Sequence, residues 1–272
     1  MKKIKFTKTV ASGNDFVVID SKGKGKGIRD LPDLTKKICD RKFGAGADGL
    51  LLLEKSRKAN IKMRIFNADG SEAEMCGNGA RCVAFYCSRK QKPKARNQIK
   101  IETKAGIIVS EVNNDNVKIK LTEPKNIKLD IPLGLGGRIL KVNFVNTGVP
   151  HCVIFVEGLD KIDVVGIGRP IRYHRQFSPQ GTNVNFVEVL NKDSLKIRTY
   201  ERGVEDETLA CGTGAVACAV IFALKGKVKD RININTRGGE VLKVYFERTK
   251  DRFCNVWLEG KARIVYQGEY YV

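Results

Sequence analysis

Short segments that alternate between apolar and polar positions recur along the whole chain and predict β-strands. Clear examples are residues 16–19, 117–121 and 152–156, and clusters of Gly, Asn and Asp separate such segments. Helical signals are fewer, and we expect helices at about residues 33–43, 76–89 and 211–225. The pattern therefore predicts a protein with more strands than helices.

The third predicted helix carries information about the fold. Residues 215–224 are apolar on every side of this helix. A helix of this kind is buried all round, yet ten residues are too few to cross a bilayer. A helix enclosed by a strongly curved sheet meets both conditions. We therefore expect an α/β (α+β) protein in which a bent, mostly antiparallel sheet or barrel surrounds a central helix.

The chain contains a weak internal duplication. Residues 64–80 read RIFNADGSEAEMCGNGA, and residues 198–215 read RTYERGVEDETLACGTGA. A second pair follows in the same order, IETKAGII at 101–108 and INTRGGEV at 234–241. Two matches with nearly the same offset predict two pseudo-symmetric domains rather than a solenoid.

We place the first domain at residues 1–122, completed by a C-terminal strand at 258–272, and the second at residues 123–257. The first domain carries Cys76 and the second carries Cys211. A pseudo-twofold relation between the domains would bring both cysteines to the domain interface, where we expect the active site.

The duplication singles out Cys76 and Cys211 among the eight cysteines of the chain. Each stands where a predicted helix begins, and the unpaired N–H groups and the dipole of a helix N-terminus favour an anion there. This environment lowers the pKa of a thiol, so that a thiolate forms near neutral pH. Both cysteines are therefore candidates for acid/base catalysis.

The residues after each cysteine form a candidate anion site. Glycines let a ligand approach the backbone closely, and the exposed N–H groups there can bind a carboxylate. The residues expected to do so are Gly77, Asn78, Gly212 and Thr213. One thiolate would then remove the α-proton of a bound amino acid, while the opposite thiol delivers a proton to the other face. This scheme needs no Schiff-base lysine, so we expect no pyridoxal phosphate, no other cofactor and no metal.

The remaining cysteines are expected to be small packing residues: Cys39, Cys82, Cys87, Cys152, Cys218 and Cys254. The chain has no C-x2-C pair, which argues against a zinc ribbon or a thioredoxin-type site. The segment CGNG lacks the ending of a phosphate-binding P-loop, and the dinucleotide fingerprint is incomplete.

The charge of the chain raises a different class of function. Among 272 residues, 50 are Lys or Arg and 30 are Asp or Glu, which gives a formal charge of +20. Such a balance is found in nucleic-acid-binding proteins. However, the basic residues are spread along the chain without zinc-finger spacing or an aromatic RNA-binding motif, so we expect no nucleic-acid partner. With neither a signal-peptide pattern nor a membrane-spanning apolar run, the sequence predicts a cytoplasmic protein without a membrane partner.

Four segments together resemble the diaminopimelate epimerase family over the whole chain. They are FNADGS with CGNGARC, YERG with ETLACGTGA, GNDFV at 13–17 and GVPH at 148–151. The resemblance implies conversion of LL-diaminopimelate to the meso form without a cofactor, in lysine and peptidoglycan precursor biosynthesis. It also implies that Cys76 removes the α-proton of the LL isomer and that Cys211 returns one.

The resemblance assigns further roles. Substrate-binding positions of the family match Asn14, Asn67, Asn183, Glu201 and Arg202, and positions that tune the thiol pKa match His151 and Glu201. A guanidinium fork and a carboxylate suit the charged distal end of the substrate. This chain has Gly49 and Val149 where some relatives have Gln and Asn, so it lacks two polar groups at these positions.

Three other functions remain as alternatives. One is another cofactor-independent racemase, such as a proline or hydroxyproline type. However, Glu201, Arg202 and the asparagines suit a substrate with a second charged end. The second is nucleic-acid binding, and the third is a redox switch in which Cys76 and Cys211 form a disulfide. For the favoured function the partner is a small-molecule substrate, and a homodimer is left open.

Overall fold

The computed structural model describes residues 3–21, 30–90, 98–226, 230–249 and 252–272. The chain divides into two compact units. Unit 1 comprises Met1–Ile119 and Gly260–Val272, and unit 2 comprises Lys120–Glu259. Within the described residues each unit combines a sheet with two α-helices.

Unit 1 contains helices α1 (Leu31–Cys39) and α2 (Gly77–Lys90). Its strands are β1 (Lys3–Ala11), β2 (Asn14–Asp20), β3 (Gly49–Glu54), β4 (Ile61–Asn67), β5 (Glu72–Ala73), β6 (Gln98–Thr103), β7 (Gly106–Asn113), β8 (Asn116–Lys120) and, from the end of the chain, β18 (Arg263–Tyr271).

Unit 2 contains helices α3 (Val164–Arg172) and α4 (Gly212–Lys225). Its strands are β9 (Lys125–Leu135), β10 (Arg138–Asn146), β11 (Pro150–Phe155), β12 (Asn183–Asn191), β13 (Ser194–Glu201), β14 (Asp206–Thr208), β15 (Arg231–Asn235), β16 (Val241–Arg248) and β17 (Phe253–Lys261).

The two units share one strand topology. In unit 1 the order is β18-β1-β2-β3-β4-β6-β7-β8, with β5 beside β4. In unit 2 it is β9-β10-β11-β12-β13-β15-β16-β17, with β14 beside β13. The pairs β2–β3, β4–β6, β11–β12 and β13–β15 are parallel, and the other pairs named here are antiparallel. The predicted fold class, α/β with mostly antiparallel sheets and an internal repeat, is confirmed.

All three predicted helices are present, with shifted ends. Helix α1 begins at Leu31, because Asp30 caps it by accepting a hydrogen bond from the backbone N–H of Asp33 at 3.0 Å. Pro32 fits its first turn, where an N–H group has no helical partner. Helices α2 and α4 begin one residue after Cys76 and Cys211.

Helix α3 was not predicted, because its sequence contains Gly166, Gly168 and Pro170, which are poor helix formers. The structure supplies the reason for one of these glycines. A Cβ at Gly168 would lie 2.7 Å from the Cβ of Tyr200 on β13, so the close contact between helix and sheet requires glycine. Buried Val164 and Ile171 hold α3 on the sheet, and tertiary packing thereby outweighs weak intrinsic propensity.

Helix α4 is the buried core of unit 2. Residues 214–221 and Ala223 are buried, and the helix contacts β10 to β13, β15 and β16. Helix α2 has the corresponding place in unit 1, with residues 79–86 buried and contacts to β1, β2, β4, β6, β7 and β18. The expectation of a central helix enclosed by strands is met in both units.

In unit 1 a bidentate ion pair holds the strand that leads to Cys76. Arg64 on β4 donates from Nε and Nη2 to the two carboxylate oxygens of Glu72 on β5, at 2.8 and 3.1 Å. Lys104 contacts the same carboxylate at 2.8 Å. Because Glu72 lies four residues before Cys76, this cluster fixes the approach of the chain to α2.

Unit 2 repeats the cluster at the equivalent positions of the duplication. Arg198 donates from Nε and Nη2 to Glu207, both at 2.7 Å, and Arg237 approaches Glu207 at 3.7 Å. Glu207 lies four residues before Cys211. We call each group of three residues an Arg–Glu clamp, and the repetition shows that both cysteine segments are braced in the same way.

The clamp of unit 1 predicts a pH-dependent stability. The hydrogen bond from Arg64, together with Lys104, outweighs partial burial and lowers the pKa of Glu72 from 4.5 to about 2. A carboxylate with a lowered pKa contributes its full stability above the unfolded value, and this contribution is lost as the pH falls through the folded value. At pH 7, Glu72→Gln should therefore unfold at a temperature about 2–4 °C lower if the clamp contributes roughly 1 kcal/mol.

This difference should close between about pH 4.5 and pH 2, measured by thermal unfolding of both proteins across the range. Glu269→Gln is the matched control, because Glu269 forms an exposed ion pair with Lys3 and should change the unfolding temperature little. A difference that is absent at pH 7, or that persists unchanged at pH 2, would contradict the assignment.

Candidate active site

Cys76 lies at the N-terminus of α2. Its carbonyl oxygen accepts the first helical hydrogen bond, from the N–H of Ala80 at 2.8 Å. Its sulfur accepts from the N–H of Gly79 at 3.4 Å. The sulfur therefore lies against the N–H groups at the start of the helix, as the sequence predicted, and these groups stabilise negative charge on it.

A tight turn brings Asn14 to this sulfur. The turn between β1 and β2 consists of Ser12 and Gly13, with φ of 52° and 78°. Positive φ at both positions is the conformation of a two-residue type I′ hairpin turn. The Oδ1 atom of Asn14 lies 3.7 Å from the sulfur of Cys76 and accepts from Asn78 Nδ2 at 3.4 Å. The structure thus brings together Asn14, Cys76 and Asn78, all three of them predicted site residues.

Arg81 is a buried residue of this site that the sequence did not identify. Its Nη2 atom donates to Oδ1 of Asn78 and to Oγ of Ser12, both at 2.7 Å. Its position inside the CGNGARC segment was the available signal, but a charged residue on a helix is normally read as exposed. Here the guanidinium holds the Asn78 amide towards Asn14.

Asp48 fixes the orientation of the Asn14 amide. Nδ2 of Asn14 donates to Oδ2 of Asp48 at 2.8 Å, and Arg41 donates to the other oxygen of Asp48 at 2.7 Å. A carboxylate only accepts hydrogen bonds, so the amide nitrogen must face Asp48. The amide oxygen therefore faces Cys76 and accepts from its thiol.

Arg41 also contacts Asp15, at 2.9 Å, and Lys8 contacts the same carboxylate at 2.6 Å. Burial raises the pKa of Asp15, but the hydrogen bonds from Arg41 and Lys8 prevail and lower it to about 2. Asp15 is thus an anion at neutral pH, paired with Arg41 and Lys8.

Asn67 lies at the end of β4, opposite Gly49 on β3. Its side chain donates to Oγ of Ser71 at 3.0 Å, and its backbone N–H donates to the carbonyl of Ser71 at 2.8 Å. A Cβ at Gly49 would lie 2.6 Å from the carbonyl oxygen of Phe66, so a side chain at this position would require a local backbone shift. The contacts of Asn67 place it in a turn, and its role in substrate binding stays a prediction.

Cys211 is the N-cap residue of α4 and is 5 % exposed. Its carbonyl oxygen accepts from Ala215 N–H at 2.9 Å, and its sulfur lies 3.5 Å from Oγ1 of Thr213. A Cβ at Gly214 would lie 3.3 Å from the Cβ of Cys211 and would clash with Oδ1 of Asn185. Glycine at this position therefore allows the cysteine and a buried amide to pack closely.

Glu201, at the end of β13, is hydrogen-bonded to Cys211. Its Oε2 atom also accepts from Thr208 Oγ1 at 2.8 Å. Burial raises the pKa of Glu201, although the hydrogen bonds with Thr208 and Cys211 act in the opposite direction. A carboxyl group that is hydrogen-bonded to a thiol, and whose own pKa is raised by burial, suits the predicted role of tuning the pKa of that thiol.

Asn183 and Arg202 are adjacent in unit 2. The buried amide of Asn183 donates to the carbonyl of Pro150 and accepts from the backbone N–H of Arg202, both at 2.9 Å. The guanidinium of Arg202 donates to the carbonyl of Gln180 at 3.2 Å. Asn183 thus holds the backbone from which Arg202 projects, and its direct contact with substrate stays a prediction.

His151 is completely buried on β11. Burial, followed by the charge of Arg202, lowers its pKa from 6.5 to about 3, while a hydrogen bond with Asn185 acts weakly in the other direction. The imidazole is therefore neutral at physiological pH. Asn185 was not identified from the sequence, because its contact with His151 depends on the register of β11 and β12.

Most other cysteines behave as packing residues. Burial raises the pKa of Cys39 and Cys87 to about 12 and raises that of Cys152 and Cys218 further. Cys82 is also buried, whereas Cys254 is partly exposed beside Glu247. The described part of the chain contains no cluster of three or more His, Cys, Asp or Glu side chains placed to hold a metal. None of the helices within the described ranges is long and apolar enough to cross a membrane.

The chain matches the family model for diaminopimelate epimerase over residues 6–127 and again over residues 143–265. Curated relatives named diaminopimelate epimerase include one from Aquifex aeolicus (strain VF5), 43 % identical over 97 % of both chains. Another, from Archaeoglobus fulgidus, is 42 % identical over 98 % of this chain and 96 % of the relative. These relatives are isomerases, which confirms the prediction of an enzyme of this class.

Solved structures show the same fold at low sequence identity. A protein from Bacillus anthracis described as a phenazine biosynthesis protein of the PhzF family has a TM-score of 0.75 and 19 % identity, with complete coverage of both chains. A hydroxyproline epimerase from Agrobacterium vitis, with bound trans-4-hydroxy-L-proline, has a TM-score of 0.72 and 15 % identity over 99 % of this chain and 91 % of its own.

The sequence segments around the two cysteines, the duplicated topology and the nearly full-length matches all lead to one assignment. The chain belongs to the diaminopimelate epimerase family.

Proposed function

We propose that this enzyme converts LL-2,6-diaminopimelate to the meso form by two-base proton transfer, with Cys76 as the first base and Cys211 as the acid. The observation that carries the proposal is the equivalent placement of these two residues. Each directly precedes the central helix of a unit, after an Arg–Glu clamp, in two units of the same topology. The named relatives supply the substrate.

The proposed reaction balances with two sulfurs alone. The thiolate of Cys76 takes the α-proton, and the electron pair of the broken C–H bond moves into the substrate carboxylate. The thiol of Cys211 then donates its proton to the opposite face of the α-carbon, so that the configuration inverts and Cys211 ends as the thiolate. The reaction requires that the two sulfurs reach opposite faces of the α-carbon.

The helix N-termini explain how the negative charge is stabilised. Backbone N–H groups at a helix start bind a carboxylate and stabilise the extra charge it gains as the proton leaves. We assign this role to the backbone of Gly77, Asn78, Gly212 and Thr213. The step needs no electron sink beyond the substrate carboxylate, so the proposed mechanism uses neither pyridoxal phosphate nor a metal.

The distal end of the substrate is assigned to charged and amide side chains. Arg202 offers a planar fork for the distal carboxylate, and the distal ammonium can donate to Glu201 or to amide oxygens. Asn14, Asn67 and Asn183 are the amides assigned to the substrate. A proline or hydroxyproline racemase would have no use for this second set of charged groups.

This activity serves lysine and peptidoglycan precursor biosynthesis, and a cytoplasmic location is part of the proposal. A homodimer stays open.

Substitution of either cysteine tests the proposal. Cys76→Ala and Cys211→Ala should each lower kcat for epimerisation at least about 10³-fold, because each removes a group that transfers a proton in the reaction. The rate is measured by chromatographic separation of LL- and meso-diaminopimelate. Cys254→Ala is the matched control, since this partly exposed cysteine contacts Glu247 on β16 and is not among the residues assigned to the site, and it should keep wild-type activity. Near-normal activity in either site variant would sink the proposal.

The residues assigned to the distal end of the substrate predict substrate selectivity. Arg202→Met should reduce kcat/KM for diaminopimelate about 10²-fold, because a charged carboxylate would lose a paired guanidinium. The wild-type enzyme should not epimerise L-proline or trans-4-hydroxy-L-proline. Turnover of either imino acid at a rate comparable with diaminopimelate would favour the alternative racemase.

The cysteines should also differ in reactivity. Burial raises the pKa of Cys39 and Cys87 to about 12, so both remain thiols at pH 7, and a thiol is far less nucleophilic than a thiolate. Iodoacetamide should therefore modify the half-buried Cys76 in the native protein long before these two residues. Peptide mapping by mass spectrometry after timed alkylation measures each site. Equal rates at Cys76 and Cys87 would show that the helix start does not activate the thiol.

A further inference from the structure

The orientation of the Asn185 side chain can be assigned from its hydrogen bonds. Its Nδ2 atom lies 2.9 Å from the carbonyl oxygen of Cys152, which can only accept, and the hydroxyl of Thr199 donates to its Oδ1 atom at 3.0 Å. The amide nitrogen is therefore on the side of Cys152. Because Asn185 is fully buried, water cannot replace these hydrogen bonds if the amide rotates.

The same amide nitrogen determines the protonation of His151. Nδ2 of Asn185 lies 3.1 Å from Nδ1 of His151. An amide NH2 group can donate but cannot accept, so Nδ1 of the imidazole must accept this hydrogen bond and carries no proton. A neutral imidazole with an unprotonated Nδ1 has its proton on Nε2.

The Nε2 atom is a buried donor without a hydrogen-bond partner among the described residues. An unsatisfied buried N–H carries a desolvation penalty, and such groups are rare in native proteins. In a protein that binds a charged substrate, a donor of this kind suits an acceptor that arrives or becomes negative during the reaction.

Asn185 also packs against the start of α4. A Cβ at Gly214 would clash with Oδ1 of Asn185, and the same Cβ would lie 3.3 Å from the Cβ of Cys211. The amide that orients His151 therefore contacts the segment that carries the second catalytic cysteine, and both belong to unit 2.

We propose that Asn185 is a positioning residue that fixes His151 as the neutral, Nε2-protonated tautomer, and that His151 acts in the reaction as a hydrogen-bond donor to an anion and not as a base. The anion is a carboxylate of the substrate or a cysteine thiolate. The kinetic part rests on the proposed function, whereas the tautomer is a property of the protein that can be measured without any activity.

The tautomer is directly measurable, because the chain has only two histidines, His151 and His174. Long-range ¹H–¹⁵N correlation spectra of the ¹⁵N-labelled protein near pH 7 distinguish protonated from unprotonated ring nitrogens. The spectrum of His174→Gln assigns the signals. We expect a protonated Nε2 and an unprotonated Nδ1 for His151, and the opposite pattern or a doubly protonated ring would overturn the proposal.

The role of Asn185 is tested by Asn185→Asp. A carboxylate can only accept, so this variant should move a proton onto Nδ1 of His151. It should also lower kcat/KM about 10²-fold, the usual cost of losing one donor to developing charge. Asn143→Asp is the matched control, because the buried Asn143 amide likewise donates to a backbone carbonyl, that of Val153 at 3.1 Å. An unchanged tautomer in folded Asn185→Asp, or an equal loss of activity in Asn143→Asp, would contradict a positioning role.

Two additions to the wild-type sample identify the anion. Movement of the Nε2–H proton signal to lower field on adding diaminopimelate identifies a substrate carboxylate. A change on alkylating the thiols with iodoacetamide, without substrate, identifies a thiolate. If neither addition moves the signal, the donor role is wrong. If the tautomer is as expected but diaminopimelate is not epimerised, the proposed function fails and the assignment of Asn185 stands.

Discussion

The start of a buried helix is the constraint on which both candidate sites depend. A helix enclosed by strands has its backbone groups satisfied internally except at the ends, where the first N–H groups lack helical partners. In α2 and α4 a cysteine stands at this point, followed by glycines that leave the backbone accessible. The burial of a helix within the strands and the candidate anion site at its start are therefore both linked to the same local sequence.

The surrounding side chains keep these segments in place. The Arg–Glu clamps hold the short strands before each cysteine, and they use bidentate pairs, which are geometrically more restrictive than single contacts. Beyond the clamps the units differ. The sulfur of Cys76 faces an amide oxygen whose orientation is set by Asp48, whereas Cys211 lies beside the partly buried carboxyl group of Glu201. Such a difference suits two thiols that hold their protons at different stages of the reaction.

The sequence predicted those features that rest on local pattern and on the repeat. The strand-rich fold and the three helices follow from periodicity, whereas the duplication singles out Cys76 and Cys211 as the candidate catalytic residues, which stays a prediction. Helix α3 escaped prediction, because the contact of Gly168 with Tyr200 is visible only in the folded protein. The Arg–Glu clamps could have been predicted from the sequence, because Arg64 and Arg198 occupy equivalent positions of the repeat. By contrast, the pairs Asn14–Asp48 and His151–Asn185 each join residues 34 positions apart, and only strand register brings such residues into contact.

The central claim is that one sulfur removes the α-proton and a different sulfur returns one. It is tested most directly by starting from LL-diaminopimelate in D2O and analysing both isomers at low conversion by mass spectrometry or NMR. Because thiol protons exchange with solvent, the account predicts one deuterium at the inverted α-carbon of the meso product and almost none in the remaining LL substrate. Retention of the original proton in the product, or deuterium appearing in the LL substrate as fast as in the product, would contradict it.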